Sequence, residues 1–303
     1  MRQPAPLQKN DIIAITCPAG YMPLEKLTAC IDTLQQWGYQ VWLGNTVKSK
    51  SSNYFSATDE ERRDELQAML DAPEVKAILC GRGGYGISRM VDELNFTGFK
   101  KHPKWVIGFS DITLLHCHIH RHCGVASLHA PMANAFNEGG EKNKYVLSLK
   151  RILSGNPIAY SCKHQAFNRS GKASGQLVGG NLALLTHAIG TPSELDTKNK
   201  ILFIEDIGEH LYQVDRMMMQ LKRSGKLKHL AGLVVGHFTD IKDTVRPFGK
   251  SIYEIIAEKV KDYAYPVCFN FPVGHETENL ALKIGAGYEL EVGSRSVKLK
   301  EKE

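Results

Sequence analysis

Apolar and polar positions alternate along the first half of the chain in short blocks of two different periods. Ile12–Thr16 is an apolar run of strand length. Apolar residues then recur at Leu24, Leu27, Ile31 and Leu34, the spacing of one helix face, with Pro23 suited to the first helical position and Gly38 to the residue past the end. Thr58 and Glu61 form a capping-box pattern ahead of Leu66, Met69 and Leu70. Val75–Cys80 predicts a buried strand, 87–94 a helix, and 105–109 a strand leading into a helix from Asp111. This strand–helix alternation predicts a parallel sheet with helices on both faces. Ligands of such sheets bind at the carboxyl ends of the strands. The residues just after Cys17, Cys80 and Phe109 are therefore the ones to read for chemistry.

The text turns polar and turn-rich over 155–175, with Gly155, Asn156 and Pro157, then Asn168, Arg169, Ser170, Gly171 and Lys172. The expected division is a first domain over 1–155, a linker over 156–172 and a mixed α+β domain over 173–303. In the second half the pattern predicts strands at 201–204 and 233–235, helices at 181–189 and 214–222, and a β-rich tail from Leu282 onward. No internal repeat or low-complexity segment is visible.

Composition narrows the function classes. The chain has 303 residues, 43% of them apolar and 23% charged, which excludes a disordered or collagen-like chain. No apolar run approaches the roughly 20 residues that span a bilayer, so no membrane association is expected. Pro4, Pro6, Lys9 and Asp11 interrupt any secretory h-region, and a cytoplasmic location is expected. The net charge of +6 comes without a basic block or stripe, so no nucleic-acid partner is expected. Seven scattered cysteines without a C-x-x-C pair predict reduced, mostly buried thiols.

Four segments could carry chemistry. Gly81-Arg82-Gly83-Gly84-Tyr85-Gly86 satisfies G-x-G-x-x-G after a predicted strand. Three readings stand: a tight turn, a dinucleotide-binding loop, or a loop whose backbone N–H groups stabilise an oxyanion. The dinucleotide reading lacks a first βα position and an acidic strand end about 20 residues on. Gly108-Phe109-Ser110-Asp111-Ile112-Thr113 places Ser110 at a strand-to-helix junction, as a nucleophile elbow does, although a serine there also commonly caps the helix. Glu205, Asp206 and Glu209 follow the apolar run 201–204, and His275 lies in a turn, Phe271-Pro272-Val273-Gly274-His275-Glu276. Ser110, Glu205 and His275 together supply nucleophile, orienter and base, the minimum set for acyl transfer. His116, His118, His120 and His122 with Cys117 and Cys123 look metal-rich, but alternate helix positions diverge, and a polar helix face is the expected reading.

These segments, in this order, resemble the serine-type L,D-carboxypeptidases (muramoyltetrapeptide carboxypeptidases), a family that includes the microcin self-immunity peptidases. The resemblance runs through Pro18-Ala19-Gly20, Arg82 to Gly86, Gly108 to Thr113, Gly179-Gly180-Asn181-Leu182, Glu205 to Glu209, Asp215-Arg216-Met217 and Phe271 to His275. It implies an α/β fold, with an N-terminal class I glutamine amidotransferase-like parallel-sheet domain and a C-terminal swivelling β/α/β domain. It also implies a catalytic triad of Ser110, Glu205 and His275, with Glu205 preferred to Glu209, and oxyanion donors at the N–H groups of Gly84 and Asp111. Substrate contacts are expected at Arg82, facing a terminal carboxylate, and at Asn181. The implied activity is removal of the terminal D-alanine from a murein tetrapeptide by a cytoplasmic homodimer that needs no metal or organic cofactor. The alternatives are a microcin-type peptidase with the same triad or, from a different class, a dinucleotide-binding protein using Gly81 to Gly86.

Overall fold

The apolar runs of the first half line up as strands, and the computed structural model, which describes residues 1–302, shows how. In chain order the elements are β1 (Ile12–Thr16), α1 (Thr28–Gln36), β2 (Gln40–Leu43), α2 (Asp59–Asp71), β3 (Val75–Cys80), α3 (Thr97–Lys101), β4 (Trp105–Gly108), α4 (Ile112–Cys123), β5 (Ser127–His129) and α5 (Lys144–Leu153). Strands β1 to β5 pair in parallel in the order β2-β1-β3-β4-β5. The central ones are apolar almost throughout because helices cover both faces. Ile13, Ile15, Ile78 and Val106 are at most 1% exposed, each burial worth about 1.5–3 kcal/mol. At the start of α2, Thr58 and Glu61 cap each other reciprocally, as their spacing predicts.

The second half adds β6 (Ala159–Lys163), β7 (Gly171–Asn181), α6 (Leu182–His187), β8 (Ile201–Ile207), α7 (Leu211–Arg223), β9 (Gly232–Thr239), α8 (Ile252–Val260), β10 (Val267–Cys268), β11 (Leu282–Ile284), β12 (Gly287–Val292) and β13 (Ser296–Glu301). Two units result. The first is Met1–Asn156 with Leu280–Ile284; the second is Pro157–Asn279 with the residues from Gly285 on. In the first, β11 pairs antiparallel with β5 and closes that edge of the sheet. In the second, seven strands run in the order β10-β9-β8-β7-β12-β13-β6. The long strand β7 joins a parallel half to an antiparallel half, pairing with β8 through 177–181 and with β12 through 171–176. The molecule is thus a two-domain α/β protein with two sheets. Among the described residues no helix is long and apolar enough to cross a membrane.

Several sequence expectations shift. The 87–94 segment is two 3-10 turns, Ile87–Arg89 and Val91–Glu93, broken at Met90, whose φ of −139° is not helical. Residues 156–172 carry β6 and the start of β7 rather than a free linker. Strand β8 runs on to Ile207, so Glu205 and Asp206 lie within it and not past its end.

Candidate active site

In the first unit, Ser110 follows β4 and precedes α4 in a left-handed conformation, φ 64°. A non-glycine residue held there costs of order 1–3 kcal/mol, and such strain is kept where the surroundings fix it. A strained turn between a strand and a helix is also the backbone setting of a nucleophile elbow. Ser110 is not the cap: Asp111 occupies that position, and no side chain caps the helix. The glycine loop after β3 packs directly on this turn. A Cβ at Gly83 would fall 2.8 Å from Ser110 Cβ and 3.1 Å from its Oγ, so only glycine fits. Gly84 adopts φ 102°, and Gly20 N–H donates to the Gly83 carbonyl at 3.0 Å, tying the turn after β1 to the loop after β3. These strands flank the point where the order β2-β1-β3 reverses direction, where open α/β sheets bind ligands.

Two buried polar side chains fix this region. Asp111, 1% exposed, accepts from the Ile87 N–H at 2.9 Å and so bolts the glycine loop to the first turn of α4. Burial pushes its carboxyl up to about 6, against the lowering effect of the bonds it accepts and of Arg62. His116, fully buried, donates Nε2–H to the Gly108 carbonyl at 2.9 Å, just ahead of the serine turn. Burial pulls its pKa down to about 4, so it stays neutral. The histidine-rich stretch is therefore not a polar face, because α4 is buried from Ile112 through Ile119. Among the described residues no group of three His, Cys, Asp or Glu side chains is placed to hold a metal ion.

In the second unit, β8 and β9 slip register opposite Glu205: Ile204 pairs with Val235 but Asp206 with Phe238. A bulge of this kind re-aims side chains. Gly236 and His237 are the residues in the slip, and a Cβ at Gly236 would strike the Val273 carbonyl oxygen, so glycine lets the 271–275 turn approach the strand. Its approach brings His275 onto Glu205, with Nδ1–H donating to Oε2 at 2.6 Å. Glu205 is fully buried, its Oε1 accepts no hydrogen bond, and this pairing is what holds the charge. Burial pulls the His275 pKa down, but the Glu205 carboxylate, with Asp206 behind it, outweighs burial and the net shift is upward. With Nδ1–H given to the carboxylate, the neutral ring carries its lone pair on Nε2.

Asp206 supports the pair from the next position. It accepts from Asn181 Nδ2 at 2.8 Å, Ala183 N–H at 2.9 Å and Ile207 N–H at 2.8 Å. Burial first, then the Glu205 charge, push its carboxyl up to about 7. Asn181, expected to touch substrate, is 3% exposed, and its Oδ1 accepts from the Leu184 N–H at 3.2 Å while Nδ2 serves Asp206. Both ends of its amide are thus hydrogen-bonded within the second unit. The carboxylate bonded to His275 Nδ1 is that of Glu205; Glu209 lies beyond Gly208, past the end of β8.

The remaining sequence expectations are placed as follows. Gly84, Asp111 and Arg82 all adjoin the serine turn or its loop in the first unit, and Arg82 is exposed with Nη1 donating to the Tyr21 carbonyl at 2.6 Å. The dinucleotide reading of Gly81 to Gly86 lacks its helix, because the loop runs into 3-10 turns. The side-chain roles of Asp111, His116 and His237 had no signal in the sequence; each depends on what the fold places against it.

Comparison with known proteins is consistent across the chain. Residues 13–130 match the family described as the LD-carboxypeptidase N-terminal domain, and residues 174–290 match the LD-carboxypeptidase C-terminal domain. A probable murein peptide carboxypeptidase of Bacillus subtilis is 37% identical over 94% of this chain and 90% of its own. The crystal structure of muramoyltetrapeptide carboxypeptidase from Oxalobacter formigenes is similar with a TM-score of 0.87 and 31% identity, over 96% of this chain and 99% of that one. The microcin C7 self-immunity protein in complex with aspartyl sulfamoyl adenosine also reaches 0.87, over 98% of each chain, but at 21% identity that likeness shows the fold alone.

Proposed function

The chain belongs to the LD-carboxypeptidase family of serine carboxypeptidases, and from that premise we propose that it hydrolyses the terminal D-alanine from murein tetrapeptides through Ser110, His275 and Glu205. The observation that most supports this reading is the buried 2.6 Å bond between His275 and Glu205, the arrangement in which a triad's carboxylate orients its imidazole. In the proposed cycle His275 Nε2 takes the Ser110 proton and Ser110 Oγ attacks the carbonyl of the L-centre. The N–H groups of Gly84 and Asp111 receive the oxyanion. His275 then protonates the departing D-alanine amine, and water repeats the sequence on the acyl-enzyme. Arg82 is the proposed partner of the substrate's terminal carboxylate, the group that distinguishes a chain end from an internal bond. No step calls on a metal or organic cofactor.

The finer architecture belongs to the same reading: a class I glutamine amidotransferase-like first domain, supported by its parallel sheet, and a swivelling β/α/β second domain. A cytoplasmic homodimer is proposed with it; the free state of all seven cysteines, five of them buried, supports a reducing compartment.

The test is a panel of peptides analysed by mass: the L–D tetrapeptide, its L–L epimer, its C-terminal amide and the D-Ala-D-Ala pentapeptide. Only the first should lose a single residue efficiently. Comparable cleavage of the pentapeptide would reassign the protein as a D,D-peptidase, and comparable cleavage of the amide would remove carboxylate recognition from the account. Preferential cleavage of an acyl-sulfamoyl nucleoside would move it to the microcin-immunity activity.

A further inference from the structure

The sheet of the second unit has β10 and β6 as its two outer strands, yet the segment that leaves β6 lies against β10. Arg169 and Val267 exchange N–H···O bonds of 2.9 and 3.0 Å, and the Phe269 N–H donates to Asn168 Oδ1 at 2.7 Å. Phe167 packs on Phe269 with ring centroids 5.9 Å apart. Each of the two outer strands carries a cysteine, Cys162 in β6 and Cys268 in β10, and their thiols are hydrogen-bonded to each other. Cys162 is half-buried and Cys268 fully buried. The bond with Cys268 holds the Cys162 thiol below its ordinary value, against the burial that raises it. The same bond, together with burial, pushes Cys268 up. Burial raises Cys17, Cys30, Cys80, Cys117 and Cys123 as well. Cys162 is therefore the sulfur of the pair that favours the thiolate, and it is the one that solvent reaches.

We propose that Cys162 and Cys268 are a dithiol oxidised by hydrogen peroxide, closing to a disulfide that joins the two outer strands of this sheet. The Cys162 thiolate attacks one peroxide oxygen. The S–O bond forms, the O–O bond breaks, and the departing hydroxide takes up the proton Cys162 released and leaves as water. The Cys268 sulfur then attacks the sulfur of the Cys162 sulfenic acid. The S–S bond forms, the S–O bond breaks, and the oxygen leaves as a second water with the Cys268 proton. Two thiols and one peroxide thus become one disulfide and two waters, two electrons passing from sulfur to oxygen. Contact between the sulfurs in the reduced protein sets the resolving thiol ahead of a second peroxide, which would otherwise carry Cys162 on to the sulfinic acid.

The test reads covalent chemistry and does not depend on hydrolysis. The protein is reduced, freed of reductant and treated with an equimolar amount of hydrogen peroxide. It is then blocked with iodoacetamide in urea and mapped by mass spectrometry without reduction. The Cys162 and Cys268 peptides should appear joined, and dithiothreitol should separate them. Cys123, the other half-buried cysteine outside the pair, should be alkylated as a free thiol in the same sample. Cys268→Ser should stall the reaction at the Cys162 sulfenic acid, captured as a dimedone adduct. Cys162→Ser should leave Cys268 a free thiol. Unjoined Cys162 and Cys268 peptides after peroxide, or Cys162 bonded to any other cysteine, would overturn the dithiol. Dimedone capture at Cys268 in Cys162→Ser, with none at Cys162 in Cys268→Ser, would overturn the assignment of Cys162 as the attacking sulfur.

Discussion

The two units hold the proposed nucleophile and the proposed base by opposite means. In the first, Ser110 is placed by backbone: a left-handed turn, a glycine that leaves no room between Gly83 and the serine, and buried Asp111 and His116 that tie the loops and strand end in place. In the second, His275 is placed by charge: a sealed carboxylate, a 2.6 Å bond, and a second carboxyl behind it. Strain suits a nucleophile, which needs one fixed direction and no charge of its own. Charge suits a base, which must stabilise the proton it takes. The contrast predicts that the same kind of substitution has opposite consequences in the two units.

The largest effect should come from Ser110→Ala, which removes the attacking group and should cost around 10⁴–10⁶ in kcat. Retention of a tenth of the activity would take Ser110 out of the mechanism. Ser110→Gly should be equally inactive yet more resistant to urea, by about 1 kcal/mol, because glycine adopts φ 64° without penalty. His275→Ala should do the reverse to stability. It strands the Glu205 charge in the interior, a loss of about 3–5 kcal/mol for breaking a buried pair. Matching urea midpoints for the two variants would erase the distinction between strain and charge.

Next in size is Glu205→Gln, expected to cost up to about 10⁴ in kcat by disfavouring the imidazolium and the correct tautomer. Glu209→Gln, measured beside it, should be the milder; the reverse ranking would move the acid to Glu209. The pH profile sharpens the point. His275 works as a base only when neutral, and its pKa is raised, so kcat/KM should climb with pH through a midpoint above the ordinary histidine value. Glu205→Gln removes the charge that raises it and should move that midpoint to lower pH. A midpoint indifferent to this change would mean that another group limits the profile.

A smaller effect is expected from Gly83→Ala. Its Cβ would fall 2.8 Å from Ser110 Cβ, and a displacement of about 1 Å at the nucleophile costs roughly 10²-fold. KM should move far less than kcat. Unchanged kinetics would show that the turn yields more easily than its packing implies.

The parts legible in the sequence were those governed by local pattern. The runs at 12–16, 75–80 and 105–109 read as buried strands because apolar residues fill most of both their faces. The capping box at Thr58 was visible because both partners are local. The edge strand β2 was not, since Gln40–Leu43 is short and only half-buried. The 87–94 segment has helix-like spacing but is broken by backbone angles that the spacing does not reveal. For the site, Ser110, Glu205 and His275 stood out by residue type and position. The side-chain role of Asp111 and those of His116 and His237 did not, because each is defined by what the fold sets against it: Ile87 for Asp111, the Gly108 carbonyl for His116 and the 271–275 turn for His237.

The claim that strain in one unit and charge in the other serve a single reaction is tested most directly by kcat for Ser110→Ala, His275→Ala and the double variant, measured on the same tetrapeptide. Groups that act as one unit lose everything when either is removed. The double variant should therefore be no slower than the worse single variant, within about threefold. A double variant slower by the product of the two single losses would show that Ser110 and His275 act independently, and the account of a shared acyl transfer would be wrong.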